Sequence, residues 1–471
     1  MIDDRLRDSA TDDDGFPRIK TGNLQADEIL GGGFPANSIN IVMGQPGTGK
    51  TIFAEQLLFH NATGERPLLY VTTLSEPMSK VVSYVQRFSF FDPDRLGADI
   101  QYEDLGAALS ERGPVALTVW LAEAIKTRSP KIVVIDSFRA IHDLAMSADD
   151  TRRFISNIAG LLSAYEVTAF LLGEYTQDDI RRYPEFAVAD AIVELARQPR
   201  STRDERYLRV LKLRGSAYRE GQHAFRIASG GLELYPRLVA PRVPENYESL
   251  VERLPTGVPG LDGMVGGGFL AGTTTLIVGM TGSGKTTLAL QFAVDGVRRG
   301  EQTMYVNFQE NPAQLRRAIS NLGADPDAVQ EQGLHLLYAS PVELQIDSIV
   351  VEIFDAIKTG TIRRLVIDAV GDLASAASDS QRLHDYLYSL IQHFAARGVT
   401  TVLTLESGEG FTGGVMSHDQ RFSYMSDNLI YLAWSSDDVG RRTIRIVKMR
   451  GSAHDKDVRD FEIRAAGARI T

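Results

Sequence analysis

The 471-residue chain contains no cysteine. That excludes a disulfide framework, a thiolate-ligated metal and a thiol nucleophile. No apolar run reaches the roughly 18 residues expected of a membrane-crossing helix. The opening residues, MIDDRLRDSATDDDGF, lack the basic and apolar regions of a secretory leader. The sequence therefore predicts a cytoplasmic protein with no membrane segment. An excess of positive charge is missing as well. Fifty Lys and Arg against 61 Asp and Glu give a formal net charge of -11. That argues against a broad nucleic-acid surface, though a local basic channel stays open.

What is present is enough chain for two cores, and much of the text is written twice. GGGFPANSINIVMGQPGTGKTIFAEQLLF (31–59) returns as GGGFLAGTTTLIVGMTGSGKTTLALQFAV (266–294). KIVVIDSF (131–138) returns as RLVIDAVG (364–371), and RVLKLRGSAYREGQHAFRI (209–227) as RIVKMRGSAHDKDVRDFEI (445–463). Lys285 follows Lys50 by 235 residues, Asp368 follows Asp136 by 232, and Arg450 follows Arg214 by 236. Three blocks in one order at a nearly constant offset indicate a tandem domain duplication, without the short period of a solenoid. The expected organisation is a disordered tail over 1–15, a first domain over 16–240 and a second over 241–471, joined through the proline-bearing stretch near 236–250.

Within each half, short Val/Ile/Leu runs alternate with longer amphipathic stretches. SINIVM, LLYVTT, IVVID and VTAFLLG read as buried strands, and KTIFAEQLLFHN and TRRFISNIAGLLSAY as helices. Alternation of this kind implies an α/β fold with a mainly parallel sheet flanked by helices, and ligands at the carboxyl ends of the strands. YLRVLKLRG and TIRIVKMRG predict an added β-hairpin arm at the end of each half.

Two segments match G-x-x-x-x-G-K-[ST], each after a predicted strand and opening a predicted helix. One is Gly44-Gln-Pro-Gly47-Thr48-Gly49-Lys50-Thr51, the other Gly279-Met-Thr-Gly282-Ser283-Gly284-Lys285-Thr286. Their backbone N–H groups would cradle ATP phosphates at a helix N-terminus. Lys50 and Lys285 would reach the β- and γ-phosphates, and Thr51 and Thr286 would ligate Mg2+. Asp136 and Asp368 each end an apolar strand and supply the second metal-site carboxylate. In YVNFQENPAQL (305–315) a buried run leads to Glu310, 25 residues after Lys285; Glu76 lies 26 after Lys50. A carboxylate there can orient a water and take its proton. Aligning Pro77 with Pro312 puts Ser75 opposite Glu310. A one-residue slip turns Glu76 away, whereas a local bulge brings it back, and both registers stay open.

Taken together, LKLRGS (211–216), VKMRGSAHDK (447–456) and the paired Gly-Gly-Gly-Phe entries resemble the KaiC family of double-domain ATPases, from about Thr21 to about Ala465. The resemblance implies two RecA-like phosphate-loop domains and a two-tiered homohexameric ring with ATP between neighbours. Lys212, Arg214, Lys448 and Arg450 match family positions that reach a neighbour's γ-phosphate. The family's autophosphorylated Ser-Thr pair falls on Ser423 and Tyr424, leaving Ser423 as the acceptor at that pair. Where the clock protein has Glu-Glu at the strand end, this sequence has Gln309-Glu310 in the second half and Ser75 with a shifted Glu76 in the first. Gln309 cannot serve as a base, which weakens kinase chemistry more than hydrolysis. The family tail that recruits KaiA has no counterpart before Thr471, so regulation by KaiA is not expected, while a KaiB-like partner stays open. Three readings follow: a KaiC-like ATPase with Ser autokinase activity working as a signalling or timing switch, a RecA-type nucleic-acid motor or recombination accessory, and a nucleotide-binding scaffold with one inactive tier. The acidic balance disfavours the second.

Overall fold

The computed structural model describes residues 17–74, 78–144, 147–200, 203–239, 241, 251–340, 346–359, 361–376, 380–406, 424–435 and 440–471. They divide into two compact units, Met1–Arg237 and Leu238–Thr471. In unit 1, β1 (Arg18–Ile19) and β2 (Phe34–Pro35) form a small antiparallel pair. The main strands are β3 (Ile39–Met43), β4 (Leu68–Thr72), β5 (Ile100–Asp104), β6 (Ile132–Asp136), β7 (Thr168–Gly173), β8 (Ala191–Arg200), β9 (Arg203–Leu213), β10 (His223–Ala228) and β11 (Gly231–Tyr235). Unit 2 opens with the pair β12 (Arg253–Leu254) and β13 (Phe269–Leu270). Its sheet contains β14 (Thr274–Gly279), β15 (Gln302–Asn307), β16 (Leu334–Tyr338), β17 (Ile362–Asp368), β18 (Thr400–Glu406), β19 (Asn428–Trp434), β20 (Arg442–Met449), β21 (Arg459–Arg464) and β22 (Gly467–Ile470).

The sheet orders are β11-β10-β9-β8-β3-β7-β6-β4-β5 and β22-β21-β20-β19-β14-β18-β17-β15-β16. They are the same order, eleven strands on, as a duplication requires. From β8 to β5, and from β19 to β16, every neighbour pair is parallel; the remaining strands add antiparallel. The predicted hairpin arms are β8–β9 and β19–β20. They are continuous with the main sheet and are extended by two further strands.

A parallel strand has helices on both faces, so its residues are apolar throughout and alternate between two cores. Val42 and Tyr70 join the layer that includes Phe53, Leu57 and Leu58 of the helix Lys50–Asn61. Ile41, Met43, Leu69 and Val71 face the opposite layer, with Leu117 and Leu121 of the helix Val115–Arg128 and Ile155 of the helix Ala148–Ala164. Unit 2 repeats the division, with Ile277 and Tyr305 on one side and Leu276, Val278, Met304 and Val306 on the other. Among the described residues no helix is long and apolar enough to cross a membrane.

One boundary differs from the sequence expectation. The strand through YVNFQENPAQL stops at Asn307, three residues before Glu310. Asn307 Oδ1 accepts the backbone N–H groups of Gln309 (2.9 Å) and Glu310 (3.1 Å), closing a turn. Asn311 then N-caps the helix Pro312–Asn321 in a reciprocal capping box with Gln314. Glu310 therefore stands in a turn clamped from both sides.

Candidate nucleotide sites

The two phosphate loops leave the central strands, β3 and β14, and open the helices Lys50–Asn61 and Lys285–Arg298. Two glycines of each loop are required by geometry. Gly49 and Gly284 have φ of 102° and 104°, the left-handed region in which a side chain is strained. At Gly44 and Gly279 the backbone of the adjacent strand closes in: an added Cβ would lie 2.1 Å from Leu195 O in one unit and 2.6 Å from Leu432 O in the other. Gly47 and Gly282 also have positive φ, 74° each. Thr48 and Ser283 are fully buried beneath the loops.

Lys50 Nζ donates to Gly44 O (2.9 Å) and Gln45 O (3.1 Å), and Lys285 Nζ to Gly279 O (2.9 Å) and Met280 O (2.9 Å). Each ammonium is thus folded back over its own loop. Burial holds both below the usual lysine range, opposed by Glu174 and Asp136 around Lys50 and by Glu406 and Asp368 around Lys285. Sequence reasoning passed over Glu174 and Glu406. Their signal was a carboxylate at or just past the end of the strand beside the phosphate-loop strand.

Asp136 Oδ2 accepts from Thr51 Oγ1 (2.8 Å) and from the Tyr70 hydroxyl (2.6 Å). Asp368 accepts from the Tyr305 hydroxyl (2.8 Å) at Oδ2 and from Thr404 Oγ1 at Oδ1. The tyrosines, 235 residues apart like the lysines, were a readable but unread part of the repeat. Hydroxyl donors on a carboxylate fix its orientation. No group of three or more His, Asp or Glu suited to a metal occurs among the described residues. A hydroxyl, one carboxylate, phosphate oxygens and water are the donor set that suits Mg2+. Thr51 with Asp136, already in contact, fit that role, and Thr286 with Asp368 are the residues at the matching positions of the repeat.

Glu310 Oε2 is buried without a hydrogen-bond partner. Burial, reinforced by Asp368, raises its carboxyl above the usual range. Gln309 turns instead to Asp372, donating through Nε2 to Oδ2 at 3.0 Å. The first unit runs in step with the second up to this point. Thr72 pairs with Asp136 as Asn307 pairs with Asp368, and the next N–H, of Thr73 or Phe308, donates to the same aspartate's carbonyl. By sequence count alone, Ser75 is the residue that corresponds to Glu310. Ser75, Glu76 and Ser423 lie outside the described residues.

A second difference between the units lies under the first site. Glu55, in the phosphate-loop helix, is fully buried. Its Oε2 accepts from the Tyr102 hydroxyl at 2.7 Å, while Oε1 has no partner. Burial pushes its carboxyl up to about 8. Unit 2 has Leu290 at the matching helix position, and Leu336 where Tyr102 stands beside the strand tyrosine.

The four hairpin cations lie toward the opposite end of the strands from the phosphate loops. Lys212 pairs with Ile192, near the start of β8, and Lys448 with Leu429, near the start of β19. Those are the amino ends of the parallel strands, roughly 10–13 Å of strand from the phosphate loops at the carboxyl ends. Lys212 Nζ donates to Phe186 O (3.3 Å) and Lys448 Nζ to Ser426 O (2.6 Å). Arg214 contacts Asp190 Oδ1 (3.3 Å), and Arg450 contacts Tyr424 O (3.2 Å).

The family model described as "ATPase: KaiC" matches residues 19–239 and again 254–471. The chain is 29% identical to the circadian clock oscillator protein KaiC of Picosynechococcus sp., over 97% of this chain and 90% of that one. It is 29% identical to the KaiC of Rippkaea orientalis (97% and 89%) and 28% identical to KaiC 1 of Synechocystis sp. (97% and 89%). Two nucleotide-type loops on one duplicated sheet, matched twice by one family model, place the chain in the KaiC ATPase family.

Proposed function

We propose that the chain binds ATP at both phosphate loops and hydrolyses it between neighbouring copies of itself in a homohexameric ring. The observation that carries this reading is the placement of Lys212, Arg214, Lys448 and Arg450 toward the amino ends of the parallel strands, away from their own loops at the carboxyl ends. They cannot complete the site of their own unit, but head-to-tail packing would present them to the next chain's loop. A ring is the closed form of such a contact.

In the second unit, Gly279, Gly282, Ser283, Gly284 and Lys285 hold the triphosphate, and Thr286 and Asp368 hold Mg2+. The metal, when bound, neutralises charge on the phosphate oxygens. Glu310, with its unpaired oxygen, takes a proton from water as the water oxygen bonds to the γ-phosphorus and the bond to the β-phosphate oxygen breaks. Lys448 and Arg450 of the neighbour stabilise the charge on the transferring phosphoryl group. In the first unit Gly44, Gly47, Thr48, Gly49, Lys50, Thr51 and Asp136 take the same parts, Lys212 and Arg214 act across the interface, and Glu76 is the available base. Transfer to Ser423 instead of water would be the autokinase reaction, and nucleotide state would set the ring's partner-binding shape.

Mixing tests the reading. Glu310→Gln and the double variant Lys448→Ala/Arg450→Ala should each lose second-unit turnover by roughly 10²-fold or more. Assembled together, they should regain part of it, because some interfaces then combine an intact Glu310 with intact neighbour cations. Mixed assemblies no more active than the separate variants would refute action across an interface. Radiolabelled ATP, with Ser423→Ala as control, reports the kinase branch.

A further inference from the structure

Unit 2 carries a cleft of about 380 Å³ at the far end of its phosphate-loop helix, lined by Val294, Leu322, Arg298, Arg464 and Arg469 among others. Val294 and Leu322 are buried and form an apolar floor, and the three arginines stand more exposed at the rim.

Unit 1 shows what the same place looks like when filled. Asp92-Pro93 and Asp325-Pro326 open matching short helices, each capped by its aspartate. By that match Phe90 and Phe91 correspond to Gly323 and Ala324, and Phe59 corresponds to Val294. In unit 1 the Phe59 ring packs 5.8 Å from Phe90 and 5.3 Å from Phe91. In unit 2 all three rings are gone. The frame around them is kept: Gln56 Oε1 accepts from Leu232 N, and Gln291 Oε1 from Ala468 N, anchoring the last strand in each case. Across this shared frame Thr63, Ala228 and Glu233 of unit 1 become Arg298, Arg464 and Arg469. Aromatic filling has been exchanged for space and three guanidiniums.

The nearby carboxylates are already engaged. Asp295 pairs with Arg299 (2.7 Å) and Arg364 (3.5 Å). Glu462 Oε2 accepts from both Arg464 (2.9 Å) and Arg469 (3.0 Å). Arg298 contacts Leu322 O at 3.4 Å. Guanidinium charge exceeds carboxylate charge here, on a chain whose net charge is -11.

We propose that this cleft binds an organic phosphate, with a compact apolar body against Val294 and Leu322 and the phosphate among the three guanidiniums. Arginine forks suit phosphate oxygens, and the volume lies within the range of small-ligand sites. The site is distinct from the phosphate loops and does not depend on their activity.

The full-length chain, with its loops saturated by excess Mg-ADP, is titrated calorimetrically with 1-naphthyl phosphate and separately with inorganic phosphate. The expected result is one naphthyl phosphate per chain, at least tenfold tighter than phosphate alone. Arg298→Gln and Arg469→Gln should each weaken it at least tenfold. Val294→Phe, which restores a unit 1 ring and keeps every guanidinium, should abolish it. Should Val294→Phe lower the melting temperature, the rim variant Arg469→Gln decides alone. No binding by the wild type, equal affinity for phosphate and naphthyl phosphate, or affinity unchanged in the arginine variants would overturn the proposal.

Discussion

Replacing Glu55 by glutamine isolates the effect of one buried carboxyl on stability. The group titrates near 4.5 when unfolded and is pushed up to about 8 in the folded chain. Between those values the unfolded chain has released the proton and the folded chain has kept it. The unfolded state binds fewer protons, so stability falls as pH rises through the window. A difference of roughly 3.5 units at 1.36 kcal/mol each corresponds to about 5 kcal/mol lost by pH 8, an order-of-magnitude figure. Glutamine keeps an acceptor for the Tyr102 hydroxyl and does not titrate. Any constant cost of seating its amide cancels when the two proteins are compared across pH.

The assay is urea unfolding from pH 5 to 8.5, followed by Trp120 fluorescence. The chain has two tryptophans, so a Trp434→Phe background leaves Trp120, on the helix Val115–Arg128, to report unit 1. At pH 5 the pH-dependent gap between the parent protein and the Glu55→Gln variant should be under about 1 kcal/mol. By pH 8 it should widen by several kcal/mol in favour of glutamine. A gap constant to within about 0.5 kcal/mol across that range would refute the reasoning, because the carboxyl would then be no harder to ionise folded than unfolded.

Arg364 is fully buried, donates to the carbonyls of Pro255 and Phe292 (2.9 Å each) and pairs with Glu301. Arg364→Met should cost unit 2 about 3–5 kcal/mol in denaturant unfolding, because Glu301 loses its buried partner. Asn311→Ala removes the capping box beside Glu310 and should cost about 1 kcal/mol by the same measurement. Tyr305→Phe deletes a donor to Asp368 and should weaken Mg2+ support of nucleotide binding roughly 10- to 100-fold, read by titrating the metal against a fluorescent ATP analogue. Gly284→Ala puts a side chain at φ 104°, with its Cβ 2.7 Å from the Ile463 and Phe461 side chains. It should cost about 1–3 kcal/mol and lower analogue affinity at that loop.

The sequence determined a good deal by itself. Duplication, phosphate loops, strand-ending Asp136 and Asp368, and the β8–β9 and β19–β20 hairpins were legible because each depends on residues close together in the chain. A glycine that must adopt positive φ, or an aspartate that ends an apolar run, shows itself in its immediate neighbours. Tertiary structure alone decided the rest. Glu55 meets Tyr102 only because the helix after β3 packs beside β5. Tyr70 reaches Asp136 only because β4 lies next to β6. Lys212 and Lys448 stand opposite their own loops because β9 and β20 run antiparallel to the strands that carry the loops. The unit 2 cleft arises from three lost rings and three gained arginines, drawn from segments far apart in the chain. Strand order, direction and register decide which distant side chains meet, and a linear pattern records none of them directly.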